Sequence, residues 1–297
     1  MKPISFFGLL LLLSAGAVRA QMPNDALYMG KGQLCVATIY GRSTWDQYWE
    51  GSRKRPNYNI GTHTTQSVTV MPAIGITNRL NVILSLPYVT TKASAGNLMG
   101  QSGIQDLSAW LKYKVLEKGG FSLNALVGAS LPLGNYVPDF LPMSIGLQCR
   151  TATGRLLASY RHPSTGLYAT GYGSYGWRST IKIDRDAYQA NDRVYNTNQV
   201  SVPNVLDAGL RLGILRKKWQ TEVWAERTTC VHGDAIRRND MPFPTNNVQA
   251  TTVGFYGRVQ PKQLGLNARF GYVVDGRNVG QSTNYSLGVL YQFAYRR

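Results

Sequence analysis

The chain has 297 residues, with 43% hydrophobic and 16% charged side chains, 31 glycines, 18 tyrosines and a formal net charge of +17. So basic a chain could bind nucleic acid, but an export signal over its first twenty residues excludes that partner. After residue 20 no apolar run approaches the ~20 residues of a helical membrane span, so crossing by helices is excluded too.

Residues 1–20 combine Lys2, an apolar run from Ile4 to Leu13, and small residues, with Val18 and Ala20 placed for cleavage before Gln21. This is the pattern of a secretory signal peptide. Its loss removes Lys2 and Arg19 and lowers the net charge to +15. No cysteine follows the cleavage point, which argues against a lipoprotein. Residues 21–297 contain no Pro/Ser-rich linker and read as one β-domain.

Side-chain alternation with period 2 marks twelve strands, near residues 33–49, 62–76, 79–91, 104–116, 120–132, 153–162, 166–178, 200–214, 219–231, 247–260, 263–275 and 283–295. In the third, Leu80, Val82, Leu84, Leu86 and Tyr88 share a face. In the fourth, Leu107, Ala109, Leu111, Tyr113 and Val115 oppose Ser108, Trp110, Lys112 and Lys114. In the eighth, Leu206, Ala208, Leu210, Leu212 and Ile214 oppose Asp207, Gly209, Arg211 and Gly213. The last strand sets Tyr285, Leu287, Val289, Tyr291, Phe293 and Tyr295 against Asn284, Ser286, Gly288, Gln292 and Arg296. Between these strands short and long connections alternate, as in an outer-membrane barrel with tight periplasmic turns and long outer loops. Aromatic residues near strand ends (Trp45, Tyr48, Trp49, Tyr88, Tyr113, Tyr160, Trp177, Trp219, Tyr285, Phe293 and Tyr295) suit girdles at the headgroup level. The expected fold is all-β: a transmembrane antiparallel up-and-down barrel of about twelve strands, with both termini on the periplasmic side.

If the apolar faces meet lipid, Lys112, Lys114, Arg155, Arg161, Arg178, Arg211, Arg258 and Arg269 face the lumen. Asp106, Asp207, Glu222, Glu226 and Asp275 face it too. Basic groups exceed acidic ones, so the set is either a ladder for anions or a paired network that closes the lumen. Arg53, Lys54 and Arg55 in the first long loop are candidates for lipopolysaccharide phosphates, or else a solvated run. Cys35, Cys149 and Cys230 have no metal or redox spacing. They are either free thiols or include one disulfide, Cys149–Cys230. His63, His162 and His232 form no serine–histidine constellation and no metal ligand set, so neither catalysis nor a cofactor is expected.

GITNRLNVILSLPYV followed by SGIQDLSAWLKYKV resembles the outer-membrane transporter family named for the phenol meta-degradation pathway. The matching positions are Gly75, Thr77, Arg79, Leu80, Leu86, Pro87 and Tyr88, then Gly103, Asp106, Leu107, Lys112 and Tyr113; Gln105 stands where that family favours glycine. The resemblance implies a barrel of about twelve strands and uptake of small, often hydrophobic compounds. About ten mature residues precede the first strand, too few for the hatch of long-chain fatty-acid transporters, so no such plug is expected. The leading expectation is a passive outer-membrane channel for small anionic, polar or hydrophobic solutes, in contact with envelope lipids. A sealed structural or surface-interaction barrel is the alternative, and an envelope-lipid enzyme comes last. Solute identity and oligomeric state stay open.

Overall fold

Alternating apolar and polar side chains favour a sheet with one lipid face and one wet face. In a bilayer such a sheet must close, because an unpaired edge leaves backbone groups unsatisfied. The computed structural model shows that closure. It describes residues 21–238 and 240–295; the expected signal peptide and Arg296 lie outside them. Among the described residues, twelve strands form the wall. They are β1 (Gln33–Trp45), β2 (His63–Gly75), β3 (Leu80–Ala93), β4 (Asp106–Lys118), β5 (Phe121–Pro132), β6 (Thr151–Arg161), β7 (Leu167–Arg178), β8 (Val205–Leu215), β9 (Trp219–Cys230), β10 (Gln249–Val259), β11 (Leu264–Arg277) and β12 (Thr283–Ala294). Each pairs antiparallel with its sequence neighbours. β1 also pairs with β12 from Gln33↔Ala294 to Thr44↔Thr283, which closes the ring.

One rim carries the tight turns. Thr77 makes the first of them, its hydroxyl accepting the backbone N–H groups of Arg79 (3.1 Å) and Leu80 (2.9 Å). The opposite rim carries the long connections, some of which fold on themselves. Gln47–Glu50 pairs with Arg53–Pro56, and Tyr188–Ala190 with Arg193–Tyr195. Residues 133–150 lean over the mouth: the Thr91 hydroxyl donates to the Met143 carbonyl (2.6 Å), and the Gln105 amide to that of Ile145 (2.5 Å). Cys149, Ile181, Ile183, Val200 and Val202 form an apolar cluster among these loops.

The outer wall is a belt of exposed Leu, Val, Phe, Tyr and Trp, including Leu111, Val127, Leu156, Leu210, Phe255, Leu266 and Leu287. Tyr88, Tyr113, Tyr160, Trp177, Trp219, Tyr285 and Tyr295 lie exposed on it. Four expected girdle residues, Trp45, Tyr48, Trp49 and Phe293, are less exposed. Trp45 stacks on the buried His63 at 5.1 Å, and Trp49 is buried in its loop hairpin. Asp275 also departs from expectation. A bulge between Thr251 and Thr252 shifts the register, so that Val273 is buried and Asp275 is exposed. One slipped residue turns a side chain to the other face, and Asp275 meets the exposed Arg227 at 3.3 Å.

All three cysteines are buried free thiols, so the Cys149–Cys230 disulfide does not form. In the Cys149 loop, burial raises the thiol pKa further. The folded protein is expected to resist a maleimide and to take up three labels on unfolding; a single label would reveal a disulfide.

Candidate functional site: the lumen

No hatch was expected, and none is seen among the described residues, but a short segment enters the lumen, for which the sequence left no room. Residues 21–32 fold back from the start of β1 into the barrel, and Gln21, Asp25, Leu27, Tyr28 and Met29 are buried. The reversal depends on two glycines. Gly32 adopts φ 76° and donates its N–H to the Gly75 carbonyl at 2.9 Å. A Cβ on Gly75 would lie 2.0 Å from the Gly30 carbonyl oxygen, so only glycine lets the segment pass there. A hatch domain is too large for so short a segment, but one extended strand of chain is enough to occupy part of a twelve-strand lumen.

The segment has an apolar and a polar anchor. Met29 packs with Cys35, Ala37, Ala73, Ile83 and Leu290 on the inner face of β12 and β1–β3, a burial that stabilises by about 1.5–3 kcal/mol. Asn81 donates to the Met29 carbonyl at 3.1 Å. On the other side Lys112, fully buried, reaches Asp25 Oδ1 at 3.0 Å. Its ammonium also donates to the carbonyls of Asp25 (2.5 Å), Leu27 (3.0 Å) and Met22 (3.2 Å). Lys112 and Lys114 both lie over the Tyr28 ring, at 5.1 and 4.8 Å. Burial, followed by the carboxylates of Asp25 and Glu117, raises the Tyr28 phenol above its ordinary range, so it stays neutral.

Some of the remaining inner charges form a network around Glu226, and the others are held separately. Arg211 is fully buried, 3.1 Å from Glu222 and 4.0 Å from Glu226. Arg269 meets Glu226 at 2.9 Å, and Asn24 of the inserted segment donates to the same carboxylate at 3.0 Å. Asp207 accepts from Thr228 at 2.7 Å, and Lys114 pairs with Glu117 at 2.7 Å. Asp106, at the loop rim, accepts the Tyr136 hydroxyl at 2.5 Å. Arg178 donates to the Pro203 carbonyl at 3.3 Å. Arg258 is buried and donates to Gln260 at 3.4 Å, with no acidic partner among the described residues. Arg161 borders a cavity at the turn rim.

Several of these cations rest on aromatic floors. Arg155 lies 5.0 Å from the Trp110 ring and 4.5 Å from that of Tyr172; Arg269 lies 3.7 Å from Trp224. Each ring lies against a glycine directly across the ladder: Trp110↔Gly128, Tyr172↔Gly209 and Trp224↔Gly254. A Cβ on Gly128 would sit 2.6 Å from the Trp110 ring. Sequence reasoning missed these floors, along with Asp25, Tyr28, Tyr168 and Gln220. Their signal was there: a bulky aromatic on the polar face of one strand, in register with a glycine on the next.

The first-loop triplet is split. Arg55 pairs with Glu50 at 2.8 Å, Lys54 lies 5.9 Å over Trp49, and Arg53 is exposed. His162 sits in a turn and accepts the Thr165 N–H at 3.3 Å. Among the described residues no three His, Cys, Asp or Glu side chains are grouped to hold a metal.

No family model matches the chain, and no curated protein sequence matches it. Among solved structures it is similar to the COG4313 outer membrane channel from Pseudomonas putida F1, with 17% identity and a TM-score of 0.69 over 92% of this chain and 100% of that one. Weaker likenesses are the NanC porin (9% identity, TM-score 0.48, 85% and 98% covered) and the NalP autotransporter translocator domain of Neisseria meningitidis (15%, 0.47, 89% and 88%). Those two carry no argument here. The ring closure and the first of these likenesses agree on the fold, which is that of an outer-membrane barrel: all-β, antiparallel, twelve strands, closed.

Proposed function

We propose that this protein is a narrow outer-membrane channel through which small polar solutes pass passively after export of the chain. The observation that carries this reading is the lopsided filling of the lumen. The inserted segment covers the apolar inner wall of β12 and β1–β3, while a cavity of about 260 Å³ stays beside it along the polar wall of β4–β9. A solute using that side meets Ser, Thr, Tyr and Gln side chains with Lys112, Lys114, Arg155, Arg211 and Arg269 nearby. That lining suits polar or anionic solutes better than the hydrophobic compounds implied by the Gly75–Tyr113 resemblance.

One observation favours a sealed structural barrel. Lys112, Arg211 and Arg269 are each paired, and the inserted segment joins the network through Asp25 and Asn24. Planar-bilayer recording separates the two readings. A channel gives discrete ionic steps with a mild anion preference. Arg258→Ala, which removes a buried cation without a carboxylate partner, is expected to lower that preference. Arg211→Ala and Arg269→Ala are expected to lower it further by leaving Glu222 and Glu226 unbalanced. Silent bilayers with inserted protein favour the sealed barrel. For the outer surface we propose the exposed Arg53 and Lys54 as contacts for lipopolysaccharide phosphates.

A further inference from the structure

The inserted segment begins where the export signal ends. The sequence pattern places cleavage before Gln21, and Gln21 is only 2% exposed. It lies against the apolar inner wall with Ala37, Ile39, Met71 and Leu290, and Asn267 and Arg269 stand on its polar side. Cleavage there leaves an α-amino group on a buried residue, and at neutral pH that group is ordinarily an ammonium.

The surroundings do not suit a further cation. A buried charge needs a partner or water. Asp25 is held by Lys112 at 3.0 Å and also accepts the Met22 and Leu27 N–H groups at 2.7 and 2.9 Å. Glu226 takes Arg269 at 2.9 Å and Asn24 at 3.0 Å, and Glu222 faces Arg211 at 3.1 Å. Arg258 is buried and has no carboxylate partner among the described residues. The carboxylates around the segment are therefore matched already, with a cation to spare. The void beside Gln21 is about 40 Å³, which holds a few water molecules and falls short of a full hydration shell.

A glutamine at an amino end can shed that charge. The α-nitrogen, as the free amine, attacks Cδ of its own side chain. The Nα–Cδ bond forms, the Cδ–Nε2 bond breaks, and Nε2 leaves as ammonia with the proton that the α-nitrogen gives up. Nothing is oxidised or reduced. The product is a five-membered lactam whose nitrogen is an amide and carries no charge. Both reacting groups belong to one residue, so the ring closes without an incoming molecule.

We propose that Gln21 is a modification site: the mature chain begins with a pyroglutamyl ring, and this neutral cap seats the inserted segment against the wall of β1, β2 and β12. The proposal goes beyond the channel reading and shares with it only the export of the chain. The precursor is expressed in a Gram-negative host, and the mature chain is purified from outer membranes. Its primary amines are dimethylated before digestion, so that ring closure during work-up cannot imitate the native product. Trypsin then cuts after arginine only, and the first peptide spans residues 21–42. It is expected to be unlabelled at its amino end and lighter by one ammonia. A labelled amino end on Gln21, or a chain starting at another residue, overturns the proposal. Gln21→Asn keeps the amide but is one carbon too short to close the five-membered ring, so its amino end stays charged. In detergent, proteinase K is expected to trim its segment several-fold faster than that of the unaltered chain at about pH 6, and equally fast at about pH 9, above the ~8 of an α-amino group. Both barrels are expected to stay heat-resistant on gels. Cys35, Tyr256 and Arg269 on the wall and Asp25 on the segment are common to both chains, so the pH-dependent difference reports the α-amino group. Equal trimming at the lower pH, or a difference that persists at the higher one, overturns the seating role and the proposal with it. None of these readouts needs a conducting channel, so silent bilayers leave this test intact.

Discussion

A chain lacking residues 21–29 is expected to conduct several times more current per channel than the intact mature chain. Those residues contribute Met29 to the apolar inner wall and Asp25 to Lys112, and nothing in the barrel ladder depends on them. Removing them leaves the twelve strands paired while clearing part of the cross-section. Lys112 then loses Asp25 and the carbonyls of Met22, Asp25 and Leu27 and is hydrated by the widened path. A cation once neutralised then faces the solute, so anion preference should rise along with conductance. Asp25→Ala tests the latch alone. Breaking a buried pair by removing one partner costs about 3–5 kcal/mol, so the segment is expected to loosen and the current to flicker between two levels. Unchanged conductance in both variants would mean that the segment does not limit the path.

Gly254→Val is expected to cost most of the heat-resistant folded barrel. A Cβ there would lie 2.0 Å from the Phe270 carbonyl oxygen and 2.6 Å from the Trp224 ring. The first is backbone of the neighbouring strand and yields only if the β10–β11 ladder spreads. The second is the ring that carries Arg269. Overpacking a fitted interior typically costs about 1–3 kcal/mol, and contact with backbone leaves little room for relief. Gly257→Val is the control, since a Cβ at Gly257 meets nothing within 4 Å. Gel-shift thermal melts should separate the two variants; equal melting would contradict the close fit.

The barrel was legible in the sequence because its physics is local. Each strand must alternate to face lipid and water at once, and a run such as Leu206 to Ile214 states that alternation residue by residue. The alternation of tight and long connections was legible for the same reason. What alternation cannot register is an event that breaks it. The bulge at Thr251 and Thr252 inserts one residue and turns Asp275 outward, with no unusual residue to announce it. The inserted segment was missed because it has no period. Its burial depends on Asp25 meeting Lys112 across 87 residues of chain, and on Met29 meeting Ile83 and Leu290, and only the closed ring creates those meetings. Trp45 and Trp49 were misplaced because proximity to a strand end does not specify which face a ring takes.

The floors of Trp110, Tyr172 and Trp224 separate strength from electrical character. Glycine makes room in the wall, the ring fills that room, and the guanidinium lies on top. Arg155, which has no carboxylate ion pair among the described residues, can therefore be exchanged for a neutral residue while the rings beneath stay in place, whereas Arg269 also balances Glu226. A lineage carrying this barrel can change the charge of its inner surface by repainting the topmost layer, with no need to rebuild the staves.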